Sequence, residues 1–273
     1  MSFYISLSGL KAAQSELSVT ANNVANVSSA AFKKSRATFG DIFASSGGPL
    51  GGQGVRLQGV EQQFTQGTLE TTDKTLDLAI TGEGFFTVRG TGTGGIVNYT
   101  RAGSFGVDKD RFVVDQTGSR LQVLPDADQD GLPDSTASGD LADLVIPTVS
   151  PLDPTQQLAS VSINDTGLVS ATFADGSVHN LGVLAMANFP AQNGLSQSGD
   201  AHWSATNTSG AAVYGAGNSG LFGAVRSGSL ERSNVDITEE LVSLISAQRN
   251  FQANSKAIEA ANTLTQTVVN MRT

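Results

Sequence analysis

The chain has 273 residues, 16 Lys and Arg against 25 Asp and Glu, and a formal charge of −9, so it can hold one large domain or two ordinary ones, and its acidic balance argues against a nucleic-acid partner. It contains no cysteine, which removes disulfides, thiolate nucleophiles and thiolate metal sites, and its two isolated histidines, His179 and His202, make a multi-histidine metal site or a histidine-based triad hard to build. Glycine supplies 31 residues and charged residues only 15%, the composition of a turn-rich chain with much uncharged polar surface.

From Tyr4 to Val27 the only helix breaker is Gly9, and Leu10, Ala13, Leu17, Thr20, Val24 and Val27 recur at spacings of three and four, the stripe of a helix about 36 Å long. The N-terminus lacks the basic and continuous apolar regions of a cleavable signal, and no run approaches the ~18 apolar residues of a membrane span, so no membrane insertion is expected. Residues 31–72, with the Gly- and Ser-rich stretch Ala44–Gly54, read as an extended linker.

Residues 73–191 read as a mainly antiparallel β domain of short strands. Leu76, Leu78 and Ile80 alternate with polar residues up to a Gly82-Glu83-Gly84 turn, and Phe85–Val88 is the next strand. Val97–Arg101, Phe112–Val114, Gly167–Phe173 and Val178–Ala187 follow, with Asp175-Gly176 as a hairpin turn between the last two. Residues 192–235, rich in Ser, Ala, Gly, Asn and Thr, read as a second linker.

The C-terminus, 236–273, is a second helix about 55 Å long, capped by Ser233 or Asn234, with Asp236, Glu239 and Glu240 in its first turns. One stripe on it runs Ile237, Leu241, Leu244, Gln248, Phe251, Ser255, Ile258; a second, partly round the helix, runs Ala247, Ala257, Ala261, Leu264, Val268 and Met271. The fold class is therefore α+β: a discontinuous α-helical coiled-coil domain from residues 1–30 and 236–273, and a central β domain.

Linkers separate both helices from the β domain, and the C-terminal helix has more apolar circumference than one partner helix covers. Such ends are expected to stay mobile in the monomer and to order when other copies supply the missing faces. Asn22, Asn23 and Asn26 lie among small residues on the first helix, where amides can fix register by hydrogen bonds, with Asn22 and Asn26 sharing a face. Subunits joined by a rotation that does not close form helical filaments, so the unfinished packing points to a homopolymer.

Catalytic signals are weak. Gly82-Glu83-Gly84 and Gly90–Gly95 lack the lysine and strand–turn–helix context of a phosphate loop, and Asp77, Glu83 and Asp115 read as surface carboxylates, so no enzyme activity is expected. Asp126, Asp128, Asp130 and Asp134 with Gly131 reproduce the first part of a calcium loop, but Ala137 stands where the bidentate Glu belongs. The loop is a candidate calcium site or a solvated acidic turn; no other cofactor is indicated.

Three segments then carry a resemblance. Ser2–Ala13 with Ala21-Asn22-Asn23-Val24-Ala25-Asn26 and Phe32-Lys33, Leu76–Phe86 with Tyr99–Phe105, and Gly228–Asp236 with Glu239–Val242, Gln248–Asn254 and Asn270-Met271-Arg272 resemble the axial proteins of the bacterial flagellum that form rod and hook. The resemblance implies an inner helical layer around a channel, an outer β wall, and export through the flagellum's own secretion apparatus. It implies as partners the neighbouring rod, hook cap and hook–filament junction proteins. Ser6–Leu10 and Trp203–Thr206 are more hook-like than rod-like, whereas 273 residues leave little room for the further outer domain of hook proteins and are nearer the length of the distal rod protein. The family's usual glycine before Phe32 is Ala31 here, which predicts a different local turn. A reading of another class is a secreted calcium-dependent β-domain adhesin or hydrolase with helical tails.

Overall fold

The computed structural model describes residues 2–42, 52–91, 95–151 and 153–271. The expected stretch Ala44–Gly54 and the glycine run of 90–95 therefore fall partly outside the described residues. The chain is α+β, with one long helix at each end and antiparallel strands between, and it divides into two compact units. Unit 1 comprises 1–28, 33–64 and 235–273; unit 2 comprises 29–32 and 65–234.

In unit 1, helix α1 spans Ser2–Ala25 and helix α2 spans Ile237–Asn270. Asp236 caps α2 by accepting from the backbone N–H groups of Thr238 and Glu239, at 2.8 and 3.2 Å, so the cap falls two or three residues later than Ser233 or Asn234. The expected linker 31–72 is not a plain linker. Strands β1, Ser35–Asp41, and β2, Val55–Gln62, pair antiparallel as a hairpin, with a register shift at Thr38/Phe39. The hairpin packs on α1, where Ser8 Oγ accepts from Val55 N–H at 3.2 Å. The Gly- and Ser-rich stretch between them and the lack of clean apolar alternation in the half-exposed β1 and β2 hid these strands.

Unit 2 is built on a large antiparallel sheet. Across it run Leu158–Ile163, Leu168–Phe173, Val178–Leu184, Arg120–Leu124, Phe85–Arg89, Val97–Thr100, His202–Ser204 and Ser196–Gly199. The last two strands come from the expected linker 192–235, as do Val213–Gly215, which pairs with Met186–Asn188, and Ala224–Ser227, which pairs with Leu78–Thr81. Small polar residues here are strand and turn residues of the sheet, not a tether. Asp175-Gly176 closes its hairpin as expected, Gly176 taking φ 83°. Leu78, Ala79 and Ile80 are all buried, so this strand is covered on both faces instead of alternating.

The core of unit 2 gathers Leu78, Ile80, Phe86, Val88, Leu121, Val169, Leu184 and Met186, each removed from water and each stabilising by roughly 1.5–3 kcal/mol. Beside it Phe85 stacks edge-on against Trp203, ring centroids 5.7 Å apart. Arg101 is buried over the Phe85 ring at 5.3 Å, with Glu231 at 3.7 Å and Glu83 at 3.8 Å. Glu231 also accepts from Gly67 N–H at 2.8 Å, and its carbonyl accepts from Ala31 N–H at 2.8 Å. Ala31 takes φ 54° and is fully buried, so the turn before Phe32 is not rebuilt; alanine adopts the left-handed conformation itself.

Candidate assembly interface

Helices α1 and α2 pack antiparallel: Gly9 faces Asn254, and Asn23 faces Glu240. A Cβ on Gly9 would lie 2.8 Å from Asn254 Oδ1, so a larger residue there would require the Asn254 side chain to shift. Both termini are thus covered in part within one chain. Ala13, Thr20, Asn23, Glu240 and Ala247 are buried with no second copy.

Asn23 is the polar centre of the seam. Its Nδ2 donates to Ser35 carbonyl at 2.8 Å and to Glu240 Oε2 at 3.1 Å, and its Oδ1 accepts from Ser35 N–H at 2.9 Å. Lys34 Nζ lies 2.8 Å from Glu240 and 3.1 Å from Glu239. Burial alone would lower the Lys34 pKa, but the two carboxylates outweigh it and hold the ammonium above its ordinary range. At the end of α1, Asn26 Nδ2 donates to the Asn22 carbonyl at 2.9 Å, a bond along the chain.

On α1, Leu10, Leu17 and Val24 are half-buried, as is Val27 just past its end, while Asn22 is exposed. On α2 the buried seam runs between the two expected stripes. It takes Leu244, Phe251 and Ile258 from one and Ala247 and Ala261 from the other, with Glu240 and Asn254 completing the heptad. Ile237, Leu241 and Gln248 from the first stripe are exposed. Ile237 and Leu241 with Val242 and Ile245 form an apolar flank: Leu241 and Ile245, one turn apart, are 46% and 48% exposed. The register of Gly9 with Asn254 and Asn23 with Glu240 brings α1 to its N-terminus near Ala261, so α2 continues past it. Leu264 and Met271 on that extension are exposed, and the Val268 side chain lies outside the described residues. On α1, Tyr4 is 73% exposed.

Of the other candidate groups, three of the four loop carboxylates converge and the remaining carboxylates do not. Asp126, Asp128 and Asp130 bring one oxygen each within 4.8 Å of one another. Asp126, however, already accepts from Asp130 N–H, Gly131 N–H and Asn180 Nδ2, and Asp134 turns to Ala127 N–H at 2.7 Å, outside that cluster. Among Asp77, Glu83 and Asp115 no pair forms: Asp115 engages His202, and Glu83 engages Arg101 and Gln192. No helix among the described residues is long and apolar enough to cross a membrane.

A two-helix unit that leaves an apolar flank and a helix extension uncovered, joined in sequence to a β unit, defines a structural subunit made for packing beside others. Comparison with known proteins agrees. The family model for flagella basal body rod proteins matches residues 3–33, that for the D1 domain of flagellar hook protein FlgE/F/G matches 79–171, and that for the C-terminal region of flagellar basal body rod FlgEFG proteins matches 226–271. The flagellar basal-body rod protein FlgG of Bacillus subtilis is 34% identical over 99% of this chain and 98% of its own. FlgG of Agrobacterium fabrum is 32% identical over 94% of each chain, and the flagellar hook protein FlgE of Escherichia coli is 28% identical over the whole of both. A crystal structure of the Helicobacter pylori flagellar hook protein FlgE2 aligns with 50% of this chain and 38% of its own, at 13% identity and a TM-score of 0.25. The chain belongs to the family of flagellar hook and basal-body rod proteins, the structural subunits of the flagellar axis.

Proposed function

We propose that this chain polymerises through unit 1 into a tubular, hook-type segment of the flagellum, with α1 and α2 forming a coiled-coil inner layer and unit 2 the outer wall. The observation that carries the reading is the uncovered apolar flank of α2 around Leu241, Val242 and Ile245, together with the extension bearing Leu264 and Met271. Monomeric helices rarely leave such faces in water, and neighbouring copies have the same small and apolar residues with which to cover them. The role needs no catalytic residue and no cofactor. Its partners are sister subunits, the rod, hook cap and hook–filament junction proteins at the ends of the segment, and the export apparatus through which the chain leaves the cell.

The hook reading rests on the segments Ser6–Leu10 and Trp203–Thr206. A rod reading is favoured by one observation: this chain aligns with B. subtilis FlgG over 288 positions but needs 407 to align with E. coli FlgE, so it lacks much of what lengthens that hook protein. Cryo-electron microscopy of flagella from cells carrying an epitope-tagged copy separates the two. Label on a curved, flexible tube outside the cell supports the hook; label confined to a straight segment within the envelope supports the rod; label on neither overturns both.

A further inference from the structure

The hairpin of Ser196–Gly199 and His202–Ser204 lies at one edge of the large sheet, and its two-residue turn is Asp200-Ala201. Both turn residues have positive φ, 49° and 56°, a geometry that glycine or asparagine favours and alanine resists. Contacts outside the hairpin support it: the ladder of His202–Ser204 with Val97–Thr100, the Trp203 ring against Phe85, and, at the turn itself, Thr100 Oγ1, which donates to the Ala201 carbonyl at 2.8 Å. The turn's other side-chain contact is His202.

The His202 ring is buried and faces an acceptor at each nitrogen: Nε2 lies 2.7 Å from Asp115 Oδ2, and Nδ1 lies 2.8 Å from the Asp200 carbonyl. A carbonyl cannot donate. Asp115 is not the donor either, because its Oδ1 already accepts from Thr117 N–H, Thr117 Oγ1 and Ser119 N–H at 2.7 to 2.9 Å, a set that favours the ionised carboxylate. Neutral imidazole has one N–H, so only the imidazolium satisfies both contacts. The charged groups facing the ring are Asp115, from the turn before Arg120–Leu124, and Asp200, from the hairpin turn itself. On Val97–Thr100, Thr100 is paired with His202 and is neutral, while the next residue, Arg101, is engaged by Glu83 and Glu231. On the other strand of the hairpin, Gly199 is opposite His202.

We propose that His202 and Asp115 form a pH-released latch that fixes the 196–204 hairpin to the sheet, closed by the imidazolium and loosened when the ring loses its proton. The direction of titration agrees. Burial alone would lower the His202 pKa, but the Asp115 carboxylate and the Asp200 carbonyl outweigh it and hold the ring above its ordinary 6.5. The latch is then fully closed below about pH 6.5 and is lost as pH rises through the higher folded-state midpoint. Each pH unit between the two midpoints weakens it about tenfold on deprotonation.

The chain is convenient for the test, with only two histidines and a single tryptophan, Trp203, beside His202. The experiment follows the two imidazole C2–H resonances of the full chain by NMR from pH 5 to 9, assigned with His179→Gln, and amide exchange corrected for its intrinsic pH dependence. The expected result is a His202 midpoint above 6.5, with protection of amides 196–204 falling several-fold above it while amides 85–89 hold. His202→Gln is expected to make hairpin protection lower and independent of pH, and Asp115→Asn to bring the midpoint down. A midpoint at or below 6.5, or hairpin protection unchanged across the titration, overturns the latch. The wild-type titration decides the matter even if either variant fails to fold.

Discussion

Asn23 and Glu240 stand 217 residues apart in sequence and share a hydrogen bond of 3.1 Å in the buried seam between the two terminal helices. Because Asn23 also holds both backbone polar groups of Ser35, one side chain sets the register of α2 and the entry of the β1–β2 hairpin. Asn23→Ala would leave the Ser35 N–H and part of the Glu240 carboxylate unsatisfied. A loss of about 2–3 kcal/mol is expected, read by denaturant unfolding followed through helical circular dichroism.

The left-handed alanine before Phe32 gives a near-neutral prediction. An L-residue at φ 54° carries a cost of about 1–2 kcal/mol, whereas glycine there gives up about 0.5–1 kcal/mol in the freedom of the unfolded chain and loses a buried methyl, about 0.8 kcal/mol. Ala31→Gly is expected to leave stability within about 0.5 kcal/mol of the parent in the same unfolding experiment.

Gly103 illustrates the reverse case. It accepts from Leu78 N–H at 2.9 Å, and a Cβ placed on it would collide with the Leu78 carbonyl. Gly103→Ala must push the loop after Val97–Thr100 away from the strand Leu78–Thr81, and a loss of about 2–4 kcal/mol in thermal unfolding is expected.

Acid should act on unit 2 through Asp115 and Asp143. Burial would raise each carboxyl pKa, but His202 with the Thr117 and Ser119 donors outweighs it for Asp115, as Gln122 and Arg120 do for Asp143. Both are held below the ordinary 3.8, so their contribution is complete above that pH and is lost as pH falls through the lower folded values. Near-ultraviolet circular dichroism of Trp203 is expected to hold at pH 5 and to collapse only below about 3.8. Asp143→Asn is expected to flatten that acid limb.

Much of this was legible in the residues and some was not, for physical reasons. The helices were plain because Leu10 to Val27 and Ile237 to Ile258 repeat at helical spacing without a proline. The seam on α2 was not, because a helix with more than one stripe of apolar and small residues offers several candidate faces, and the chosen one is marked by Glu240 and Asn254 rather than by grease. The hairpin β1–β2 and the strands between 196 and 231 were hidden by composition. Gly, Ser and Ala mark linkers on average, yet here they occupy sheet edges and close approaches such as Gly215 against Phe222. The Asp115–His202 pair, 87 residues apart, had no local signal at all.

Removing the α2 flank separates assembly from folding. Leu241→Glu with Ile245→Lys replaces two exposed apolar side chains by an i, i+4 ion pair that suits a helix, so monomer stability should stay within about 0.5 kcal/mol of the parent. Filaments should be lost from cells expressing the double variant, as counted by electron microscopy, while the subunit is still made.

The central claim is that sister subunits cover the apolar surfaces that one copy leaves open. Because the chain has no cysteine, a single Ile245→Cys or Leu264→Cys carries the only thiol in the molecule. The deciding measurement is maleimide labelling of that thiol in the unassembled subunit and in intact flagella. The account predicts rapid labelling of the free subunit and at least a tenfold slower reaction in the assembled tube; equal rates in both would contradict it.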